Sequence, residues 1–174
     1  MDQADLKILS VLQSHGRVAN VDLARRCDLA PSTTLERVRR LEERGVIKGY
    51  RAVLDPQALG YGVQAMVMVS LGRHQSVSIE DFEAAIREIP EARACFHLTG
   101  RYDYLIHVAV RDIAHLRELV TKRIAALGGV QTEETFLVLA TTKEDEGYPV
   151  PPTPEGTSEP GRRSTPDTTP EEET

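Results

Sequence analysis

The sequence of 174 residues has only two cysteines, no tryptophan and few other aromatic residues. Cys27 and Cys95 lie far apart, which favours two reduced thiols in a cytoplasmic protein over a disulfide framework. No run of about 18 apolar residues occurs, which argues against a membrane-spanning helix. The first ten residues are charged and lack the basic-then-apolar order of a secretory signal peptide. We therefore expect a cytoplasmic protein without a membrane segment.

Residue clusters that bind metals or carry out common catalytic steps are also missing. The five histidines, at positions 15, 74, 97, 107 and 115, include no helical i,i+4 pair, and no cysteine cluster accompanies them. The sequence contains no phosphate-binding glycine loop and no nucleophile elbow. We therefore predict no metal and no cofactor, and we expect His97 and His107, on neighbouring strands, to be packed or interface residues.

Charge is unevenly distributed along the chain, whose net charge is -6. Residues 1–60 carry ten basic and eight acidic residues, a net charge of +2. Residues 61–141 carry eight and ten, a net charge of -2, and residues 142–174 carry three and nine, a net charge of -6. This asymmetry is compatible with contact to nucleic acid through the N-terminal part only.

Two short helices are predicted near the N-terminus. Asp2 is a suitable N-cap, and aliphatic residues follow it at helical spacing as far as Gly16. Asn20 is a suitable N-cap for the second helix. The residues predicted to face inward from that helix are Leu23, Ala24 and Cys27.

A third helix is predicted from about residue 31 to residue 44, with Gly45 as its C-terminal glycine. The segment 46–54 is typical of a β-hairpin that turns at Lys48 and Gly49. Three short helices followed by a hairpin are the winged form of the helix-turn-helix. Residues 1–54 are therefore predicted to be a DNA-binding domain.

A second domain is predicted after a turn-rich linker at residues 55–61. Two-residue alternation marks its strands and helical spacing marks its helices. The predicted elements are a strand at 63–71, a helix at 79–89 before Pro90, strands that begin at Ala94 and Tyr104, a helix at 113–127 closed by Gly128 and Gly129, and a last strand at 136–140. This βαββαβ order predicts an α+β architecture with a ferredoxin-like domain at 62–142. One sheet face would stay uncovered, and apolar residues on it predict self-association.

The C-terminal segment, residues 143–174, differs in composition from the rest. Seven of the ten prolines occur from Gly147 onward, with Glu, Thr and Ser between them. Such a composition buries too little apolar surface to fold, so it predicts a disordered acidic tail. An inert solubilising extension and a competitor of DNA for the basic N-terminal half are the two alternatives for its role.

The third predicted helix carries a stripe of arginines. At 100° per residue this stripe fills an arc of about 60°, and an apolar arc lies roughly 140° away. The stripe consists of Thr33, Arg37, Arg40 and Arg44, and the apolar arc consists of Leu35, Val38 and Leu41. The arginine fork suits phosphates and guanine edges, which favours DNA contact over an ordinary solvated face.

Four runs of sequence, two in each predicted domain, resemble those of one protein family. They are D-x-x-D-L-K-I-L with G-R-V-A-N-V-D-L-A-R after it, LERVRRLEERGVIKGYRAVLDP, LTGRYDYLIHV and GGVQTEETFLVL. Together they resemble the Lrp/AsnC family, the leucine-responsive and asparagine-responsive regulators, over residues 1 to about 142. The resemblance implies a dimer that binds double-stranded DNA and often assembles into octamers. It also implies that an amino acid or related metabolite controls DNA affinity or assembly.

The resemblance implies roles for individual residues in DNA binding. The residues that would face the groove are Ser32, Thr33, Thr34, Arg37 and Arg40, with Arg44 completing the stripe, and those that would meet phosphates are Asn20, Arg25 and Lys48. Ala30 departs from the pattern, because many members have serine there. A missing cap costs ~1 kcal/mol, unless the helix starts later with Thr33 and Glu36 as a capping box.

The loop between the second and third predicted strands resembles the family's effector loop, which comprises Thr99, Gly100, Arg101, Tyr102, Asp103 and Tyr104. A glycine lets the backbone approach a ligand, and Asp103 is suited to accept the ligand's ammonium group. The alternative is a tight turn in which Gly100 supplies a positive φ and Asp103 is a cap. On the last strand many relatives carry Thr-x-Thr, where this chain has Glu133 and Thr135. Either these residues contact the effector or they face solvent.

Two other functions fit a chain of this organisation. Some haem-pathway decarboxylases that act on siroheme-like tetrapyrroles resemble the same two-domain family. A metabolite sensor that has lost DNA binding is the other alternative. The arginines of the third helix favour a DNA-binding regulator over both, so we expect no enzymatic activity.

Overall fold

The computed structural model describes residues 1–72 and 79–150. It contains two compact units, one that combines residues 1–51 with the C-terminal segment from residue 146, and one that comprises residues 52–145. Most of the predicted disordered tail, residues 151–174, lies outside the described residues, as does His74. In the described part of the chain, no helix is long and apolar enough to cross a membrane.

The first unit contains three helices, α1 (Gln3–Ser14), α2 (Asn20–Cys27) and α3 (Pro31–Glu43). Asp2 caps α1 as predicted, and Asp5 completes a capping box with it. The fully buried core of the unit contains Ile8, Leu23, Cys27 and Leu41. The inward side predicted for α2 is therefore confirmed.

The turn between α2 and α3 is closed by Asp28. This residue has φ +58°, a left-handed conformation that aspartate tolerates better than most residues. The following amide, Leu29 N–H, donates to the carbonyl of Ala24 at 3.0 Å. The bond satisfies a carbonyl at the end of α2 and reverses the chain within three residues, as a helix-turn-helix requires.

Two predicted N-caps differ from the structure. Asn20 is the first residue of α2, and Ala19 occupies the cap position. The side-chain amide of Asn20 instead donates to the carbonyl of Pro31 at 2.9 Å, which joins the first turns of α2 and α3. Ala30 precedes α3 without a side-chain cap, and the helix starts at Pro31 rather than later at Thr33. A proline in the first turn has no N–H to satisfy, which reduces the need for a cap.

The predicted hairpin at residues 46–54 is wrong, because no strand pairing occurs there. The amides of Val46 and Ile47 donate to the carbonyl of Leu41, at 2.9 and 3.2 Å, and so complete the end of α3. The Tyr50 hydroxyl donates to Glu42 at 3.0 Å. The first amides of the segment therefore bond to α3 and are not available for strand pairing. An isolated two-stranded hairpin is also only marginally stable.

The second unit is an antiparallel four-stranded sheet with helices on one face. Its elements are β1 (Val63–Leu71), α4 (Ile79–Arg87), β2 (Ala92–His97), β3 (Tyr104–Val110), α5 (Ile113–Glu118), a π-helical continuation of α5 (Leu119–Ile124) and β4 (Val130–Leu137). The strand order is β2-β3-β1-β4. This is the predicted ferredoxin-like arrangement, and its core lies between the helices and the inward residues of β1 and β3.

The second predicted helix of this unit changes its winding after Glu118. In the π-helical segment Ala125 N–H donates to the carbonyl of Val120, five residues earlier. Leu119 and Val120, which are neighbours in sequence, are both buried. Leu119 lies three residues after Leu116 and Val120 four, which are both inward positions of an amphipathic helix, so Leu119 is a core residue that the sequence analysis did not select.

The last strand begins at Val130 and ends at Leu137, earlier at both ends than predicted. It is an edge strand, and almost all of its side chains are exposed. Because little of it is buried, polar residues occupy its first half and no alternation marks its start. Residues 138–140 follow the strand, and Val138 N–H donates to the carbonyl of Gln64 at 2.9 Å.

The sheet face opposite the helices is uncovered and partly apolar. The register places Met66 between His107 of β3 and Phe136 of β4, and Met68 between Leu105 and Glu134. Phe96 of β2 lies beside Leu105, and both Phe96 and Phe136 are about half exposed. We call this surface, formed by Met66, Met68, Phe96, Leu105 and Phe136, the open sheet face.

Candidate nucleic-acid interface and effector loop

The helix α3 packs one side against its unit and exposes the other. Thr34 and Leu41 are fully buried and Val38 is partly buried, at i, i+4 and i+7 spacing. This arc runs through Thr34, not through Leu35 as predicted, and Leu35 is 42% exposed. The exposed residues on the other side include Ser32, Thr33, Leu35, Glu36, Arg39 and Arg40.

Arg37 lies at the flank of the buried arc and pairs with α1. Its Nη1 donates to Asp2 at 2.9 and 2.7 Å and to the Oδ1 atom of Asp5 at 2.8 Å. The prediction that Arg37 faces water is therefore wrong, since the side chain is only 23% exposed and its Nε is buried without a partner. Arg37 holds α3 against the start of α1.

Asp5 is the buried partner in this cluster, with 2% exposure. Burial raises the pKa of its carboxyl, but hydrogen bonds from Arg37 and from the Asp2 backbone outweigh burial, so the net pKa is lowered. Arg40 also reaches Asp5, at 3.5 Å, while half of its side chain remains exposed. The carboxylate therefore stays charged near neutral pH and draws both arginines toward α1.

Thr34 is removed from the predicted groove-facing set. Its side chain is fully buried, and its hydroxyl donates to the carbonyl of Ala30 at 3.1 Å. Ser32 and Thr33, by contrast, are exposed. One error accounts for both Thr34 and Leu35, because the predicted arc shares Val38 and Leu41 with the buried arc and only its first member is displaced by one residue.

The remaining residues predicted to contact DNA differ in their exposure and in whether their side chains already have partners. Arg25 is exposed and pairs with Asp22 at 3.1 Å. Asn20 is partly buried and bonded to Pro31. Arg44 and Lys48 are exposed, and neither side chain has a hydrogen-bonded or ion-paired partner in the described part of the chain.

Arg39 is a basic residue of α3 that the sequence analysis did not select. It is exposed, and within residues 1–72 and 79–150 its side chain makes no hydrogen bond or ion pair. At 100° per residue it lies about 130° from the centre of the buried arc, whereas Arg37 lies only about 70° away. If Thr34 instead of Leu35 is taken as the inward residue, the helical projection selects Arg39 as an outward-facing arginine.

The effector loop joins β2 to β3, and its backbone is tied to both β1 and β2. Gly100 has φ +131°, and a Cβ added there would meet no atom within 4 Å, so glycine is required by conformation and not by space. Asp103 N–H donates to Val69, and the Oδ2 atom of Asp103 accepts from Leu71 N–H at 2.7 Å. Asp103 thus caps the end of β1 rather than the turn in which it lies, whereas Gly100 supplies the positive φ that the turn interpretation expected. Only Oδ2 is engaged within the described residues.

The other predicted effector residues lie on different surfaces. Tyr102 donates to Glu134 on the open-face side of β4, and the Arg101 guanidinium lies over the Tyr102 ring at 5.1 Å. Glu133 and Thr135 alternate with Glu134 and are exposed on the opposite face. Thr99 is exposed in the loop. The structure of a single chain therefore does not gather Glu133 and Thr135 around the loop.

Tyr104 belongs to the core rather than to an effector surface. It is 1% exposed, packs against Phe82 and His97 with ring centroids 4.6 Å away, and donates its hydroxyl to Glu83 at 3.1 Å. Burial, followed by the bond to Glu83, raises the pKa of Tyr104 to about 12. This placement contradicts the prediction that Tyr104 contacts the effector.

The histidines and acids of the described residues show no metal centre. No group of three or more His, Cys, Asp or Glu side chains converges there in a way that could hold a metal ion. His107 shares a hydrogen bond of 2.9 Å with Gln64, and burial lowers the pKa of His107. His97 stacks on Tyr104. His107 is partly buried, as expected of a packed residue, whereas His97 is exposed although its ring stacks on Tyr104.

Comparisons with known proteins agree with this two-part organisation. Residues 1–48 match the model of a winged helix-turn-helix DNA-binding family, and residues 64–148 match the Lrp/AsnC ligand binding domain. The leucine-responsive regulatory protein of Haemophilus influenzae is 38% identical over 144 residues, which are 83% of this chain and 87% of that protein. Its Escherichia coli K12 counterpart is 36% identical over 83% of this chain and 88% of its own length.

A solved structure is similar over both parts. It is a Neisseria meningitidis transcriptional regulator in complex with L-Met, with a TM-score of 0.79 and 38% identity, and the match covers 83% of this chain and 93% of that chain. The chain therefore belongs to the Lrp/AsnC family of transcription regulators, in which a DNA-binding winged helix-turn-helix is followed by a ligand-binding domain.

Proposed function

We propose that this chain regulates transcription by sequence-specific DNA binding, and that an amino acid or related small metabolite controls its DNA binding or its assembly. DNA binding maps to residues 1–54 and effector binding to residues 62–142, which residues 55–61 join. The observation that carries the proposal is the exposed side of α3, away from the buried arc. Arg39 lies there with Ser32 and Thr33, and its side chain has no partner among the described residues.

On this proposal the arginines of α3 have two different roles. Arg39 contacts DNA directly, because its fork is free to donate to a guanine edge or a phosphate. Arg40 and Arg44 support it from the same exposed side, with Lys48 and Arg25 near phosphates. Arg37 acts on DNA through the position of α3, because its guanidinium is committed to Asp2 and Asp5.

Arg39→Ala tests the DNA-reading assignment. The duplex is one selected by the protein from a random library, and affinity is measured by fluorescence anisotropy at two salt concentrations. The variant should weaken binding by ~1–3 kcal/mol if Arg39 reads guanine, or reduce the salt slope by about one if it binds phosphate. Arg117→Ala is the matched control, because it removes one exposed positive charge from α5 instead. Equal affinities for Arg39→Ala and Arg117→Ala at both salts refute the assignment.

We propose that the effector is an amino acid and that its ammonium group binds the Asp103 oxygen not engaged by Leu71. The complex of the similar Neisseria meningitidis regulator with L-Met supports this ligand class. Tyr102 and Gly100 belong to the same loop as Asp103. Glu133 and Thr135 complete the site only if a neighbouring subunit supplies them. The loop of one subunit and β4 of another would then form one pocket.

Asp103→Asn separates ligand binding from strand capping. Asparagine retains an oxygen that accepts from Leu71 N–H and loses the negative charge that attracts an ammonium group. Calorimetry with a panel of amino acids, L-Met first, should show binding to the native protein and at least tenfold weaker binding to the variant. A variant that binds the same amino acid with native affinity returns Asp103 to a purely structural role.

We propose that the protein is a homodimer that assembles further, as far as an octamer, and that it works in the cytoplasm. The open sheet face supports dimerisation, because two half-exposed phenylalanines and two methionines gain from mutual burial. Light scattering at micromolar concentration should show no folded monomer, and Phe136→Glu should shift the population toward smaller species. A folded native monomer contradicts this part of the proposal.

We also propose that the protein acts without catalysing a reaction. The siroheme-type decarboxylase alternative requires a bound tetrapyrrole. Incubation of the purified protein with such a tetrapyrrole, followed by gel filtration, should leave no absorption band of the pigment on the protein. Co-elution of the pigment with the protein would favour the enzyme.

A further inference from the structure

The C-terminal segment returns to the first unit and is held by α1. The side chain of Gln13, near the end of α1, makes two hydrogen bonds with the backbone of one residue of this segment, Tyr148. Its Oε1 accepts from Tyr148 N–H at 2.8 Å, and its Nε2 donates to the Tyr148 carbonyl at 2.9 Å. An amide side chain that pairs with both groups of one residue imitates a strand partner, so it recognises backbone and not side chain.

Gly147 allows this approach for two separate reasons. Its φ is +94°, a conformation that residues with a side chain rarely adopt. A Cβ at this position would also lie 2.5 Å from Gln13 Oε1 and 3.1 Å from Gln13 Cδ. The glycine therefore lets the chain turn against Gln13 where any other residue would push it away.

An apolar groove lies beside these hydrogen bonds, entirely within the first unit. Leucines of α1 form one wall, the segment 46–50 forms another, and residues 148–150 form a third. The cavity they enclose measures about 360 Å³. The apolar residues that line the first two walls are Leu6, Leu9, Leu12, Val46 and Ile47. Lys48 lies at the same groove, so its rim is basic.

We propose that this groove is a docking surface for the chain's own residues 147–150, and that docking tethers the acidic C-terminal residues to the DNA-binding unit, where they compete with DNA. Twenty-four residues follow Val150, and they include six acids and two arginines, a net charge of -4. A stretch of that length reaches at most about 80 Å, enough to cover the face of a small unit. The second half of the proposal rests on the proposed DNA binding.

Tethering matters because it sets the local concentration of the acids. A segment held at α1 meets Lys48 and the exposed arginines of α3 as an intramolecular ligand. Both this contact and DNA binding are electrostatic, so added salt weakens both. Competition is therefore strongest at low salt, and release of residues 147–150 from Gln13 should weaken it.

The docking itself is tested by proteolysis of the full-length protein. A glutamate-specific protease can cut after Glu146, next to the docked segment, and after Glu155, which is likewise followed by glycine and serves as the internal reference. Gln13→Ala should raise the rate of cleavage after Glu146 relative to Glu155 by about fivefold or more. Gly147→Ala should do the same when Gly156→Ala is made with it, so that alanine follows both glutamates. Gln3→Ala, at the other end of the same helix, is the matched control and should leave the ratio unchanged. An unchanged ratio in both test variants overturns the docking.

Competition is tested with the selected DNA duplex at about 50 mM and about 300 mM salt. Truncation after Val150 should tighten binding about three- to tenfold at low salt and much less at high salt. Gln13→Ala in the full-length chain should recover part of that gain, and in the truncated chain it should add nothing. Equal low-salt affinities for the full-length and truncated proteins overturn the competition, whatever the proteolysis shows. If no form binds DNA, the proposed function fails while the proteolysis still decides the docking.

Discussion

The ion pair between α1 and α3 makes a quantitative prediction about the stability of the first unit. In the variant Asp5→Ala, α3 loses the bonds from Arg37 and Arg40 to a carboxylate that is 2% exposed, and α1 loses one half of its capping box. Hydrogen bonds to charged groups contribute about 1.5–3 kcal/mol each, and Arg37 keeps Asp2 as a partner. We therefore expect Asp5→Ala to cost about 2–3 kcal/mol.

Native-state hydrogen exchange of the full-length protein is the appropriate measurement, because it reports on each unit separately. A loss of about 2–3 kcal/mol corresponds to roughly 30- to 160-fold faster exchange of α1 amides. Amides of β1 and β3 serve as the internal reference. Asp22→Ala is the matched control, since it breaks the exposed pair with Arg25 and should change exchange by less than about threefold.

A companion variant sharpens this prediction. Arg37→Ala leaves the buried Asp5 carboxylate without its main partner, so its effect on α1 exchange should exceed that of Asp5→Ala. The double variant should cost less than the sum of the two single variants, because each removes the same interaction. The reasoning is refuted if Asp5→Ala behaves like Asp22→Ala, or if the two single effects simply add.

Three further predictions follow from the same contacts. The pKa of Asp5 is lower in the folded protein than in the unfolded chain, so the stability that Asp5 contributes is present above about pH 4 and is lost as pH falls through the folded pKa. The protection of α1 amides from hydrogen exchange should therefore drop below about pH 4. Asp5→Ala should make that drop smaller. Thr33→Ala should weaken DNA binding without changing exchange of α3, whereas Thr34→Ala should lower α3 protection by about 1–2 kcal/mol; the reverse pattern contradicts the burial of Thr34. Tyr104→Phe should destabilise the second unit by about 1–2 kcal/mol in denaturant unfolding and leave effector affinity unchanged in calorimetry, and a loss of ligand binding would return Tyr104 to the effector site.

The second unit was largely predictable because its strands are half buried. In β1 the inward residues Ala65, Val67 and Val69 alternate with outward ones, and the register with β3 continues the same alternation. Apolar and polar residues alternate along a strand only where one face of the sheet is buried and the other is exposed. The edge strand β4 has no dry face over most of its length, and its start was therefore missed. Leu119 was missed for another reason, because only its neighbour Val120 was selected although both positions suit the inward side of a helix that contains Leu116.

In the first unit, two predictions made from local sequence patterns were wrong. The segment after Gly45 has the composition of a hairpin, yet the amides of Val46 and Ile47 complete the end of α3. Asn20 has the chemistry of a cap, yet its side chain bonds to the carbonyl of Pro31 in the next helix. In both cases a tertiary partner supplies the hydrogen bond that the local pattern assigned elsewhere. Local propensity does not contain the position of that partner.

The arginines of α3 carry this argument to the functional surface. Arg37 and Arg39 are two residues apart and chemically identical. A projection centred on the predicted apolar arc of Leu35, Val38 and Leu41 does not separate them, because both lie about 100° from its centre. What separates them is Asp5, which is buried on α1 and available only to an arginine on the near flank of α3. That pairing fixes how α3 is rotated about its axis, and the rotation in turn turns Arg39 outward. Arg37 thus sets which side of α3 faces DNA, and Arg39 contacts the DNA. Arg37→Ala should therefore lower stability, whereas Arg39→Ala should lower DNA affinity without lowering stability.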